Sequence, residues 1–318
     1  MTSSRAEFAA SRIGDAASCV RRLTALIEDA VDGALPVAAQ GEAEGFGVDR
    51  LAEAMRYSLG TPGKRIRPLL LLATAETVGA DASRLARFAA GLEMIHAYSL
   101  IHDDLPAMDD DDLRRGFPTN HVVYGEGMAI LAGDGLLSEA FVLMLEPVVE
   151  AALQARVVRE IAHASGRDGM VGGQAADLMG EGHPPAPQLL RAIHARKTGA
   201  LLRVSVRAGA MLGGAAPAQL EALCRFGERF GLAFQIADDI KDEIAPPQVT
   251  GKRAGGDRLR GKMTYPSLFG IDGSRDLLVA ELEEARAALR GVGGDTSLLQ
   301  IIATDAVAPA LAGGAFED

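Results

Sequence analysis

The chain has no tryptophan, two cysteines and few aromatic residues, 4% of 318. No stretch alternates Val, Ile, Thr or Tyr with polar residues as a half-buried strand would, which excludes an all-β reading. Cys19 and Cys224 stand far apart and outside any CxxC or Cys/His spacing. A disulfide scaffold and a cysteine zinc site are therefore excluded, and a reducing cytoplasm fits. Positive charge is also scarce, 32 Lys and Arg against 43 Asp and Glu, a net of −11. Broad nucleic-acid binding, which rests on clustered basic residues, does not fit this balance. An anionic ligand can still be held through metal ions or a few local cations set against the overall sign. Arg5, Glu7, Arg12 and Asp15 interrupt the first 25 residues, and no 18-residue apolar run follows. Neither a secretion signal nor a membrane span is predicted.

What is present is helical. Apolar residues at 48% and charged residues at 24% are the mix of a folded protein. Leu220, Leu223, Phe226, Phe230, Ala233 and Ala237 follow at steps of three or four, one stripe of a long helix. Leu85, Phe88, Leu92, Ile95 and Ser99 form another, with Asp81 ahead of it as a predicted N-cap. Breakers at Gly60 to Gly63, Pro106, Gly116 to Pro118, Gly180 to Pro187 and Pro246 to Gly256 punctuate roughly ten helices. No linker or fixed-period repeat divides them, so a single all-α domain over residues 1–318 is expected. Gly172 and Gly173 fall inside a helical stretch, where close approach of a helix or ligand would justify their cost.

The strongest signal is the segment from Ile101 to Gly116, IHDDLPAMDDDDLRRG, with six aspartates between Asp103 and Asp112, then Arg114 and Arg115. Two carboxylates ~6 Å apart repel by about 3 kcal/mol at an effective dielectric near 20, so a shared face calls for a cation. Hard oxygen ligands suit magnesium, which takes a few carboxylates, waters and phosphate oxygens. The alternating ligands and central glycine of an EF-hand are missing. His102 beside Asp103 has no second ligand at zinc spacing.

A second cluster, Asp238, Asp239 and Asp242, lies in FQIADDIKD. Asp238 and Asp242 are four apart, hence on one helical face. Asp103 and Asp109 are six apart, so the turn at Pro106 has to bring Asp109 back. His96 lies seven residues, two helical turns, before Asp103 and shares its face.

These residues resemble the short-chain trans-prenyl diphosphate synthases, and the bacterial farnesyl type in particular. The first aspartate motif of that family, DDxxxxD, matches Asp103, Asp104 and Asp109, and the second, DDxxD, matches Asp238, Asp239 and Asp242. Between and around them stand GKRIRP from Gly63, HAYSLIHDD from His96, GGQAADL from Gly172, KTGAL from Lys197 and GKMTYPSLFG from Gly261. The resemblance implies an all-helical bundle around a central cavity and a homodimer. It also implies head-to-tail condensation of isopentenyl diphosphate with allylic diphosphates, with magnesium ions, three per site, as cofactor.

Carried over residue by residue, both aspartate triplets hold the metal. Arg114, Lys197, Thr198, Gln235 and Lys252 or Lys262 reach the allylic diphosphate, and Lys64, Arg67, His96 and Arg115 hold isopentenyl diphosphate. Tyr98 and Ser99, five and four residues before the first aspartate, form the floor that limits chain growth. A tyrosine there implies farnesyl diphosphate; a geranylgeranyl synthase and a non-catalytic partner subunit are the alternatives. Two departures stand out: Lys241 replaces an apolar residue of the second motif, and the tail, ALAGGAFED, lacks the basic residues the family often places there.

Overall fold

A computed structural model describes residues 2–35, 47–183, 186–244 and 262–312. The helices in chain order are α1 (Thr2–Asp32), α2 (Val48–Leu59), α3 (Ile66–Thr77), α4 (Ala86–Asp103), α5 (Asn120–Tyr124), α6 (Glu126–Met144) and α7 (Ala151–Ser165). They continue as α8 (Met170–Gly180), α9 (Pro187–Lys197), α10 (Gly199–Leu212), α11 (Pro217–Ile244), α12 (Tyr265–Leu289) and α13 (Ser297–Leu311). The all-α expectation holds. The strands among the described residues are two-residue pieces, β1 (Leu113–Arg114) and β2 (Phe117–Pro118), paired antiparallel.

Both apolar stripes are buried as the spacing predicts. In α11, Leu223, Phe226, Phe230, Ala233 and Ala237 face inward, and the rings of Phe226 and Phe230 stack at 5.8 Å. This helix packs along α10 and α12. In α4, Phe88, Leu92 and Ile95 are buried against α6 and α3. Asp81 accepts from the Ser83 N–H, but caps a 3₁₀ turn (Ala82–Leu85) that leads into α4. Among the described helices α6 is the one long and apolar enough to cross a bilayer. Glu126, Asp134 and Glu139 interrupt it, its inner side packs on α4, and Ile130, Leu131 and Val142 remain exposed.

The start of α3 shows how local chemistry places the first basic motif. Arg65 precedes the helix with φ 46°, a left-handed conformation that costs free energy for a side chain of this size. Pro68 falls in the first turn, where its missing N–H leaves no hydrogen bond unmade. The Arg65 guanidinium turns inward, donating to Glu28 of α1 at 3.0 and 3.2 Å and to Glu93 of α4 at 3.0 Å. Arg65 and Glu93 are both buried, so each depends on the other for its charge.

Replacing Arg65 by Met is expected to cost about 3–5 kcal/mol, the penalty of stranding a buried carboxylate. Urea unfolding measures it, and the double variant R65M/E93Q should regain part of the loss; a single variant as stable as the parent contradicts the buried pairing.

Candidate active site

The break after α4 returns the chain on itself. Asp104 closes the helix, and the Asp109 N–H donates to the Asp103 carbonyl at 2.8 Å, while the Asp111 N–H reaches the Asp104 carbonyl at 3.2 Å. The turn at Pro106 thus brings Asp109 back beside Asp103, as expected. The chain then enters a hairpin whose two-residue turn, Arg115–Gly116, has φ of 54° and 82°. Two successive positive φ values are the signature of a type I′ turn, which matches the twist of the flanking strands. The hairpin sends two neighbouring guanidiniums to different places. Arg114 grips the Asp104 carboxylate through Nε at 2.8 Å and Nη2 at 2.5 Å, and Arg115 donates to the Pro62 carbonyl at 2.8 Å, next to Gly63 and Lys64.

Around the first cluster the chain supplies its own cations. Lys262 donates to Asp109 at 2.6 Å with both side chains below 10% exposed, and Lys197 donates to Asp177 of α8 at 2.6 Å. Burial, reinforced by Asp109, lifts the Asp103 carboxyl above the usual range, while Lys197, Arg114 and Lys262 pull it back. Gly173 meets a neighbouring helix as its cost implied, while Gly172 meets the loop that leads into its own helix. A Cβ on Gly173 would collide with the Lys197 backbone, and one on Gly172 with the Arg167 carbonyl.

In the second cluster the three aspartates point differently. Asp238 is exposed, Asp242 half-buried and Asp239 buried. Asp239 accepts from Gln235 at 2.7 Å and from the Tyr265 backbone N–H at 2.9 Å, and His194 stands 4.0 Å away. The Gln235 amide, expected at a diphosphate, is engaged with Asp239. Thr198 is the half-buried joint between α9 and α10.

Lys64, Arg67, His96 and Arg115 form a neighbouring cationic set. Arg67 is buried, its Nε has no partner, and burial, with Arg115 adding to it, pulls its guanidinium down to about 10 against the opposing Glu93 and Asp238. His96 is held neutral, first by burial and then by Arg67, Arg115, Arg114 and Arg65, and its Nδ1 is enclosed without a partner. Burial and Lys241 lower the Lys64 ammonium, with Asp238 and Asp305 of α13 opposing. A cleft lined by Arg65, Glu93, His96, Asp104, Arg114 and Arg115 lies on this side. Tyr98 is buried on α4, its ring edge-on to His102 at 5.7 Å and its hydroxyl pushed up to about 12 by burial and Asp103. Ser99 turns its hydroxyl onto the His96 carbonyl at 2.8 Å. Lys252 lies outside the described residues.

Three contributors escaped the sequence reading: Arg65, which fixes the segment between Lys64 and Arg67; Asp177, which receives Lys197; and His194, beside Asp239. Asp177 sits within GGQAADL, His194 lies one turn before KTGAL and outside the motifs, and the partners of both lie on other helices.

Among the described residues no three His, Cys, Asp or Glu side chains gather closely enough to hold an ion alone. The donor set around Asp103, carboxylates with no sulfur, fits magnesium completed by water and phosphate oxygens.

This arrangement, two carboxylate clusters beside a cationic set in an all-helical bundle, defines an enzyme of diphosphate chemistry. The polyprenyl synthetase family model matches residues 48–289. The farnesyl diphosphate synthase of Geobacillus stearothermophilus is 48% identical over 80% of this chain and 87% of its own. A geranylgeranyl diphosphate synthase of Cyanophora paradoxa is 46% identical over 73% of this chain and 79% of its own. In three dimensions the chain is similar to a geranyltransferase of Helicobacter pylori, solved with magnesium and isoprenyl diphosphate, with TM-score 0.81 and 27% identity over 93% of this chain and 97% of that one. The chain belongs to the polyprenyl synthetase family. It is a prenyltransferase.

Two buried imidazoles give the fold a pH signature. His96 is well below 6.5 and His194, through burial, is down at about 4, so both are neutral when folded and titrate near 6.5 when unfolded. The unfolded chain then binds more protons in acid, and the stability these groups contribute, complete above pH ~6.5, falls as pH drops through that value. The expected slope is up to about 1.4 kcal/mol per histidine per pH unit. Urea midpoints at successive pH values check it, and His194→Asn should flatten the fall between pH ~6 and ~5; an unchanged slope contradicts the assignment.

Proposed function

We propose that the chain is a farnesyl diphosphate synthase, joining isopentenyl diphosphate head to tail with dimethylallyl and then geranyl diphosphate, as a magnesium-dependent homodimer in the cytoplasm. The observation that carries this is the buried Arg67 Nε and His96 Nδ1, neither with a partner, beside a pair of aspartate clusters. Arg67 Nε, a buried donor without a partner, asks for an anion, and the unengaged His96 Nδ1 lies beside it.

In this reading Lys64, Arg67, His96 and Arg115 hold isopentenyl diphosphate, and Arg114, Lys197, Thr198, Gln235, Lys252 and Lys262 serve the allylic diphosphate. Asp103, Asp104, Asp109, Asp238, Asp239 and Asp242 would hold magnesium, three ions per site. Bound magnesium supplies Lewis-acid stabilisation to the leaving diphosphate. Arg114 and Lys197, already oriented by Asp104 and Asp177, add fixed positive charge where the allylic C–O bond breaks. The double bond of isopentenyl diphosphate then attacks the allylic cation, and the departing diphosphate takes the released proton. Tyr98 and Ser99 on α4 would form the floor of the pocket, so that chain growth meets a phenol, and an apolar, closed pocket would keep water from the cation.

Purified protein with magnesium, labelled isopentenyl diphosphate and geranyl diphosphate should yield farnesyl diphosphate and stop there. Asp103→Ala should lower kcat by about 100-fold or more, EDTA should abolish turnover, and Tyr98→Ala should let geranylgeranyl diphosphate accumulate. Geranylgeranyl diphosphate from the parent would favour the second reading, supported by the geranylgeranyl synthase among the relatives. Failure to condense any allylic primer leaves a regulatory subunit as the remaining reading.

In this reading the exposed Ile130, Leu131 and Val142 of α6, with Val122 and Val123 of α5, are the apolar surface a second copy would cover. Sedimentation equilibrium should give the mass of two chains, and Leu131→Glu with Val142→Glu should halve it; a monomeric parent contradicts the proposal.

A further inference from the structure

The segment Lys262 to Tyr265 touches both aspartate clusters. At one end Lys262 donates to Asp109, and at the other the Tyr265 backbone N–H donates to Asp239 at 2.9 Å. Three residues of extended chain reach about 10 Å at most, so this strap sets an upper limit on how far apart its two contacts can lie. Its middle is also tied: Met263 is buried with its sulfur accepting from the Ala186 N–H at 3.3 Å, and Thr264 forms a capping box with Ser267 at the start of α12. Asp239 differs from its neighbours in this. Asp238 is exposed and Asp242 half-buried, whereas Asp239 is buried with one oxygen on Gln235 and the other on the Tyr265 N–H. The Tyr265 N–H lies in the first turn of a helix, where no carbonyl of that helix can receive it.

We infer that Asp239 is a positioning residue: it anchors the Lys262–Tyr265 strap through the Tyr265 N–H, and so aims Lys262 into the site, leaving Asp238 and Asp242 as the metal-facing members of the second cluster. This takes Asp239 out of the magnesium-holding set proposed above and otherwise rests on that magnesium-dependent reading. A carboxylate suits the task because it accepts from both neighbours at once, one donor on its own helix and one on the next. His194, kept neutral by burial, stands 4.0 Å from the same carboxylate.

Three measurements separate an anchor from a metal ligand. Without divalent metal, Asp239→Ala should lower Tm by roughly 3 °C or more, because a buried N–H loses its acceptor, while Asp238→Ala should not lower it. Manganese(II) binding in the presence of inorganic diphosphate, followed by electron paramagnetic resonance, should be unchanged in Asp239→Ala and weakened in Asp238→Ala. In condensation, Asp239→Ala should lower kcat by about 100-fold, as a misplaced group does, and should cost little more in the Lys262→Ala background. Asp239→Asn, which can still accept from Tyr265 if Gln235 flips, should restore Tm and most of kcat, and it carries the manganese test if the alanine variant does not fold. Weakened manganese binding in Asp239→Asn, or an unaltered metal-free Tm in a folded Asp239→Ala, would overturn the inference. The metal-free Tm and manganese arms do not require turnover, so a chain that fails to condense substrates still decides between anchor and ligand.

Discussion

Carboxylates gathered around one cleft repel one another, and each buried one needs a positive or N–H partner before any substrate arrives. The fold meets this constraint with its own cations. Asp104 has the Arg114 fork, Asp109 has Lys262, Asp177 has Lys197, and Glu93 has Arg65. Each pair joins different segments of the chain, so the charges that make the site also tie it together. Arg114, Lys197 and Lys262, proposed for the allylic diphosphate, are thus held in place by carboxylates, and two of these, Asp104 and Asp109, are also proposed to hold metal.

The cationic side of the cleft follows the opposite logic. Arg67 and His96 are enclosed yet keep a nitrogen unpaired, and Glu93 has one oxygen without a partner. Burial and the neighbouring guanidiniums disfavour charge on both basic groups, and an anion between them would offset that penalty. One wall is thus internally satisfied and the other waits for charge.

Much of this was legible in the sequence. Helix class, the inward stripes of α4 and α11 and the folding-back at Pro106 all follow from spacing and breakers. The aspartate and basic motifs name most residues that meet in space. What stayed hidden is long-range pairing. Nothing in DDIKD distinguishes a buried Asp239 from an exposed Asp238 until α12 supplies the Tyr265 N–H, and nothing in GKRIRP says that Arg65 turns inward while Lys64 does not. The hairpin was hidden too, because its strands are two residues long and its turn begins with an arginine where an Asn or Gly is usual. Composition also understated α6, whose three acidic residues mask an otherwise apolar helix.

Among the described residues the non-glycine positions with positive φ are Arg65, Asp110 and Arg115, all beside the site. Side chains there are held in a conformation that glycine adopts freely, at a cost of order 1–3 kcal/mol each. An engineer seeking a more heat-resistant enzyme would find these positions attractive and misleading. Glycine would relax the backbone, yet remove the inward anchor at Arg65 or the guanidinium at the hairpin tip. At Arg65 the lost ion pairs outweigh any backbone relief, at Arg115 relief competes with the proposed grip on a diphosphate, and gains in durability are better sought in the distant helices.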